Sequence, residues 1–182
     1  MPKFKSYLIP ILLLLLEVLH FFIRWALIHS PFFSEVDYDQ AVPGLMALHI
    51  LRGDPQLMLW GQPRLGGLQA YLISFIFYLI GPSTISLHLS LLAVSGVTLL
   101  VVYGLGKKVG SQWVGLMAAA YWAIPPIFLT FTGSYAGGGH QEAVLLGSFL
   151  VFGTILLPDL PHRQKNLLAG LLGLLTGLGA WS

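Results

Sequence analysis

Gly67-Leu-Gln-Ala-Tyr71-Leu-Ile-Ser-Phe-Ile-Phe-Tyr-Leu-Ile80 is the stretch on which the fold turns. It is almost wholly apolar, yet it holds only 14 residues. As a helix it would be about 21 Å long at ~1.5 Å per residue, short of a ~30 Å hydrocarbon core. The other apolar runs cover about 7–28, 84–106, 113–131, 143–157 and 167–181. The breaks between them carry the charge. Lys3 and Lys5 precede the first run, Lys107 and Lys108 follow 84–106, and Arg163 and Lys165 precede the last. If all six runs crossed a membrane, the second and third basic clusters would lie opposite the first, against the positive-inside rule. If 67–80 does not cross, all three clusters share the cytoplasmic side. The reading is therefore an all-α multi-pass membrane protein, 1–182 forming a single membrane domain. It has about five transmembrane helices, with juxtamembrane helices in an outer loop over 30–82, and Pro82 followed by Ser-Thr opens the second span.

Composition supports this class. Hydrophobic residues make up 56% of the chain, charged ones 9%, and the mean hydropathy is +0.81, which excludes a soluble domain. The N-terminal run is too long for the ~7–15-residue core of a signal peptide, and no small-residue cleavage site follows it. The chain has no cysteine, so disulfides and thiolate metal sites are excluded. No basic run with interleaved aromatics points to a nucleic-acid partner.

The five-span reading places 30–66 and 133–142 on one face. Five of the seven acids then face outward (Glu35, Asp37, Asp39, Asp54 and Glu142), while six of the nine Lys/Arg face inward. Carboxylates are dense in Glu35-Val-Asp37-Tyr-Asp39-Gln40. The next residues, Gln40 to Leu51, read as a short amphipathic helix with Asp39 as N-cap, Pro43 in its first turn and Gly53 as its stop. Asp37 and Asp39 form an Asp-x-Asp pair that can hold a divalent metal ion through hard oxygen ligands. Asp54-Pro55 starts a turn, and 61–67 reads as an irregular link.

In the second outer loop, Gly137-Gly138-Gly139 either lets backbone N–H groups approach a phosphate or makes a plain turn. His140 and Glu142 follow, Glu142 in the first turn of a helix, where the dipole favours an acid. Glu17 and Arg24 lie inside the first span, seven residues and about two turns apart on one face. Intramembrane charges are functional candidates by default. Arg24 is expected to snorkel outward or pair with the acidic loop, Glu17 to face the bundle, and His88 to pack. Gly170, Gly173 and Gly177 read as small-residue helix contacts, Trp113 and Trp181 as interface anchors.

The runs Asp37-Tyr-Asp39-Gln-Ala-Val-Pro-Gly44-Leu-Met-Ala-Leu-His-Ile-Leu-Arg52-Gly53 and Trp60-Gly-Gln62-Pro-Arg64-Leu-Gly66-Gly67-Leu-Gln-Ala-Tyr71 resemble the first periplasmic loop of GT-C membrane glycosyltransferases. Within that superfamily the chain is similar to the N-terminal portion of family 39-like enzymes. These are bacterial relatives of the dolichyl-phosphate-mannose protein mannosyltransferases and of the aminoarabinose transferase acting on lipid A. The resemblance implies transfer of a sugar from a polyprenyl-phosphate donor to a protein, lipid or glycan acceptor. It implies an inverting mechanism on the outer, periplasmic face of the plasma (inner) membrane, with the N-terminus cytoplasmic. The family's catalytic Asp falls on Asp39, with Asp37 beside it. The family's following Glu falls on Gln40, which can hydrogen-bond but cannot take a proton. A later family acid falls on Glu142. Gln40, Arg52, Arg64, His140 and Glu142 are the candidates for substrate or phosphate contacts, and Asp37 with Asp39 for any divalent metal ion. Transferases of this kind are longer, so the resemblance also implies a chain truncated at its C-terminus.

Two other functions compete. A transporter module would use Glu17, Arg24 and the outer acids as a polar path. A non-catalytic membrane scaffold or partner subunit fits the replacement of Glu by Gln40.

Overall fold

A computed structural model describes residues 2–33 and 36–182; Glu35 and the side chains of Lys3 and Lys5 lie outside the described residues. The chain is mostly helical. The elements are α1 (Pro2–Ile28), α2 (Tyr38–Leu51), β1 (Met58–Leu59), β2 (Gln62–Gly66), α3 (Leu68–Ile80), α4 (Thr84–Val109), α5 (Gln112–Ala123), α6 (Ile127–Ser134), α7 (His140–Leu156) and α8 (His162–Trp181). Among the described residues, three helical segments are long and apolar enough to cross a membrane: Tyr7–Ile28, Thr84–Val109 and His140–Asp159.

Helix α4 is the hub, packing against α1, α3, α5 and α7. It starts at a capping box in which the Ser83 hydroxyl accepts from the Ser86 N–H at 3.0 Å and the Ser86 hydroxyl accepts from the Ser83 N–H at 2.8 Å. Two of its buried hydroxyls bond back to their own helix, Ser90 to the Leu87 carbonyl at 2.6 Å and Thr98 to the Val94 carbonyl at 2.9 Å, whereas buried Ser95 Oγ has no partner among the described residues. One apolar cluster joins Ala47 of α2, Ile73 and Phe77 of α3, Leu87 and Leu91 of α4, and Ala136. A second joins Leu99 of α4 to Ala119 and Ala123 of α5, with Leu13 and Leu16 of α1 against it.

Several expectations change. The run 113–131 is not one helix. It breaks at Ile124-Pro125-Pro126 into α5 and α6, because each proline disfavours helix in the residue before it and supplies no N–H. The link over 61–67 is ordered as an antiparallel hairpin, β1 on β2, so the fold is not purely helical; Gly61 takes its turn at φ +76°. The glycines of α8 are not helix contacts, since a Cβ at Gly170, Gly173 or Gly177 would meet nothing within 4 Å among the described residues. The close approach lies between α4 and α5 instead. A Cβ at Gly106 would sit 2.8 Å from Gly115 Cα, and one at Gly115 would sit 2.6 Å from the Tyr103 carbonyl oxygen.

The short helix α3 lies against α2 and α4. Polar ties mark the two ends of the bundle. At one end Lys108 of α4 pairs with Asp159, just before α8. At the other end Tyr135, at the close of α6, reaches Asp37, and Trp181 at the close of α8 donates its indole N–H to the Leu57 carbonyl at 2.9 Å. Trp181 is therefore a tie to the hairpin, while Trp113 is exposed.

Candidate functional site

Two acidic segments far apart in sequence meet at the Asp37 end. Asp37 is the N-cap of α2. Its backbone is extended (φ −78°, ψ −179°), and its Oδ1 accepts from the Gln40 N–H at 3.1 Å. This corrects the expected cap, Asp39, which sits inside the first turn. The helix starts two residues earlier than expected, so Pro43 falls within it and donates no N–H to the Asp39 carbonyl.

Tyr135 bridges the two acids. Its hydroxyl donates to Asp37 Oδ2 at 2.5 Å and lies 3.5 Å from Asp39 Oδ2. Partial burial, then the bond to Asp37 and the charges of both carboxylates, raises the Tyr135 pKa above the ordinary phenol range. Both Asp37 oxygens are thus engaged, by an N–H and by a hydroxyl. Each oxygen keeps a second lone pair, and among the described residues no group of three or more His, Asp or Glu gathers around the pair. Asp39 keeps an exposed carboxylate whose contact with Tyr135 is long.

Asp39 lines a cleft of about 230 Å³. Its walls are Tyr38 and Val42 of α2, Trp60 and Gln62 of the hairpin, and Gly137 with Gly138 ahead of α7. Gly138 and Gly139 take φ +99° and +78°, which other residues rarely adopt, so the chain turns tightly into α7. The Gly138 N–H lies 3.4 Å from Gln69 Oε1, and Gln69 Nε2 lies 3.4 Å from Glu142 Oε2. Gln69 and Glu142 are both buried, and Glu142 Oε1 has no hydrogen-bond partner at normal geometry among the described residues.

The remaining candidates scatter. Gln40 is buried away from the cleft and meets His88 Nε2 at 2.8 Å, while His88 Nδ1 donates to the Thr84 carbonyl at 2.8 Å. His88 therefore packs, as expected, and also makes a polar tie between α2 and α4. Arg52, at the C-cap of α2, and Arg64, on β2, are exposed and do not line the cleft. Arg24 neither snorkels nor pairs with an acid of the described loop. It is 2% exposed and donates to His20 Nδ1 at 2.8 Å. Glu17 faces the bundle, near Gly96 of α4.

Sequence reasoning missed Tyr135 and Gln69. Each gains its role from a partner at least 69 residues away. The available signal was a hydroxyl-bearing aromatic just ahead of three consecutive glycines in the link before α7. Comparison with protein-family models, with characterised proteins and with solved structures finds no match to this chain.

Proposed function

We propose that this chain forms the acceptor-activating part of a membrane glycosyltransferase, acting on a polyprenyl-phosphate-linked sugar at the outer face. The observation that carries the reading is the division of labour between two carboxylates. Asp37 is fixed by the α2 N–H and by Tyr135, whereas Asp39 presents a carboxylate, exposed and held only by a long contact, to a cleft at a loop junction. In this reading Asp39 takes the proton of an acceptor hydroxyl or amine. The acceptor atom attacks the anomeric carbon from the face opposite the phosphate. The bond from that carbon to the phosphate oxygen breaks, its electron pair leaves with the polyprenyl phosphate, and the anomeric configuration inverts. Asp37 and Tyr135 position Asp39. General-base help is worth about 10²–10⁴ in rate.

The same reading counts five crossings, with α5–α6 together and α8 each traversing from the Lys108 end to the Asp37 end. The N-terminus is cytoplasmic and the cleft lies outside, on the plasma (inner) membrane. One observation favours a non-catalytic scaffold instead: Gln40, where the resembling enzymes have Glu, serves as a buried tie to His88.

Transfer from a radiolabelled polyprenyl-phosphate sugar, measured in membranes carrying the wild type or Asp39→Asn, separates the two. The transferase reading expects transfer in the wild type and a loss of at least about 100-fold in the variant. Equal transfer in both, or none in either, supports the scaffold.

A further inference from the structure

A cavity of about 390 Å³ lies between α1, α3 and α4, away from the cleft that holds Asp39. Small-molecule sites usually measure about 300–1,000 Å³ and are mostly apolar, with a few polar groups placed on the wall. Here the walls are apolar, among them Phe21 of α1, Leu79 of α3 and Leu92 of α4, and Glu17 is the one acid on them. Phe21, Leu79 and Ile80 are also exposed on the outside of the bundle, so the mouth opens sideways between apolar side chains.

Glu17 has its charge matched but not its hydrogen-bonding capacity. Arg24, two turns along the same helix, couples to it electrostatically. Yet Glu17 Oε1 is buried and has no hydrogen-bond partner among the described residues. His20, the other polar side chain on the wall, is already engaged by Arg24 and by the Trp122 backbone. Gly96 of α4 keeps space open beside the acid, since a Cβ there would stand 3.5 Å from Glu17 Oε2. A buried acceptor left without a donor is costly. Water would supply one only by wetting apolar walls, and apolar cavities stay dry.

Depth narrows the choice of donor. Glu17 stands ten residues past Tyr7 and eleven short of Ile28, in a helix long and apolar enough to cross a membrane. At ~1.5 Å per residue it is about 15 Å from either end, near the midplane of the span. Charged headgroups stay at the membrane surface and do not reach that depth. A charged head brought there would also upset the balance between Glu17 and Arg24. What fits is a small molecule lying wholly in the hydrocarbon, with an uncharged O–H to donate.

We propose that this cavity binds a neutral, hydroxyl-bearing lipophile of the alkanol or alkylphenol class, whose O–H donates to Glu17 Oε1. The site rests on the membrane reading of the fold and not on sugar transfer, so binding tests it separately.

The experiment photolyses decanol bearing a diazirine with the full chain in phosphatidylcholine nanodiscs, and maps the labelled residues by mass spectrometry. Decanol, decane and decylamine compete at equal membrane concentrations. The expected result is saturable labelling within 17–21, 76–80 and 89–96, displaced by decanol and at least about 10-fold less well by decane or decylamine. Glu17→Leu removes the acceptor, Gly96→Leu fills the cavity, and each should weaken labelling about 10-fold. Gly96→Leu keeps the Glu17–Arg24 pair, so it stays folded even where Glu17→Leu does not. Labelling spread evenly over the outward faces of the helices, or unchanged in both variants, would overturn the proposal. So would displacement by decane or decylamine as strong as that by decanol.

Discussion

Replacing Asp37 and Asp39 in turn separates the residue that builds the cleft from the residue that works in it. Asp37→Ala removes the N-cap of α2, worth about 1 kcal/mol. It also removes the acceptor of the 2.5 Å bond from Tyr135. Bonds to charged groups are worth about 1.5–3 kcal/mol when buried. Asp37 is exposed, so solvent screening reduces this one to about 1 kcal/mol. The expected loss is about 2 kcal/mol. Asp37→Asn keeps the cap, since Asn and Asp cap equally well, and costs about 0.5 kcal/mol. Asp39→Ala loses a favourable first-turn charge of about 0.3–1 kcal/mol but gains helix propensity of similar size, so it is close to neutral. Reversible unfolding in mixed micelles with increasing dodecyl sulfate, followed by far-UV circular dichroism, measures all three. If Asp39→Ala were as damaging as Asp37→Ala, the cap assignment and the division of labour built on it would both be wrong.

Other predictions follow from single contacts. Gly115→Leu should cost at least about 2 kcal/mol, because the new side chain meets the Tyr103 backbone, whereas Gly173→Leu on the open face of α8 should leave the same unfolding curve unmoved. Gln40→Leu should cost about 1–3 kcal/mol by leaving buried His88 Nε2 without its partner, and a smaller effect would show that water replaces it. The raised Tyr135 pKa gives a pH dependence of definite sign. The unfolded phenol ionises near 10 and the folded one higher, so its contribution is complete below pH ~10 and is lost as pH rises toward the folded value. Stability of the wild type should therefore fall more steeply above pH 10 than that of Tyr135→Phe, and identical slopes would remove the bond as its cause.

Much of the architecture was legible because apolar runs and charge clusters are one-dimensional signals. The short run 67–80 became a helix of 13 residues packed on α2. The cap register was not legible. Two Asp residues two apart in front of a helix are chemically equal caps, and backbone geometry chooses between them. The break in 113–131 was readable from Pro125-Pro126, but its apolar continuity outweighed the two missing N–H groups. The α8 glycines and the Gly106–Gly115 pair look alike as small residues, and only the packing partner tells them apart. Asp39 and Glu142 entered as candidates through the resemblance, while local pattern alone read Asp39 as a cap and Glu142 as a first-turn acid. The roles of Tyr135 and Gln69 were not legible, because each is defined by contacts between elements distant in sequence.

Sugar transfer at the outer face requires the Asp37 end and the Lys108 end to lie on opposite sides of a membrane. The chain has no cysteine, so single cysteines report position without background. Gln62→Cys on the cleft wall and Lys107→Cys at the other end, each treated in intact cells with a membrane-impermeant maleimide, give the most direct measurement. Labelling of Gln62→Cys alone, with Lys107→Cys labelled only after permeabilisation, is the predicted result. Labelling of both in intact cells, or of Lys107→Cys alone, would contradict the account.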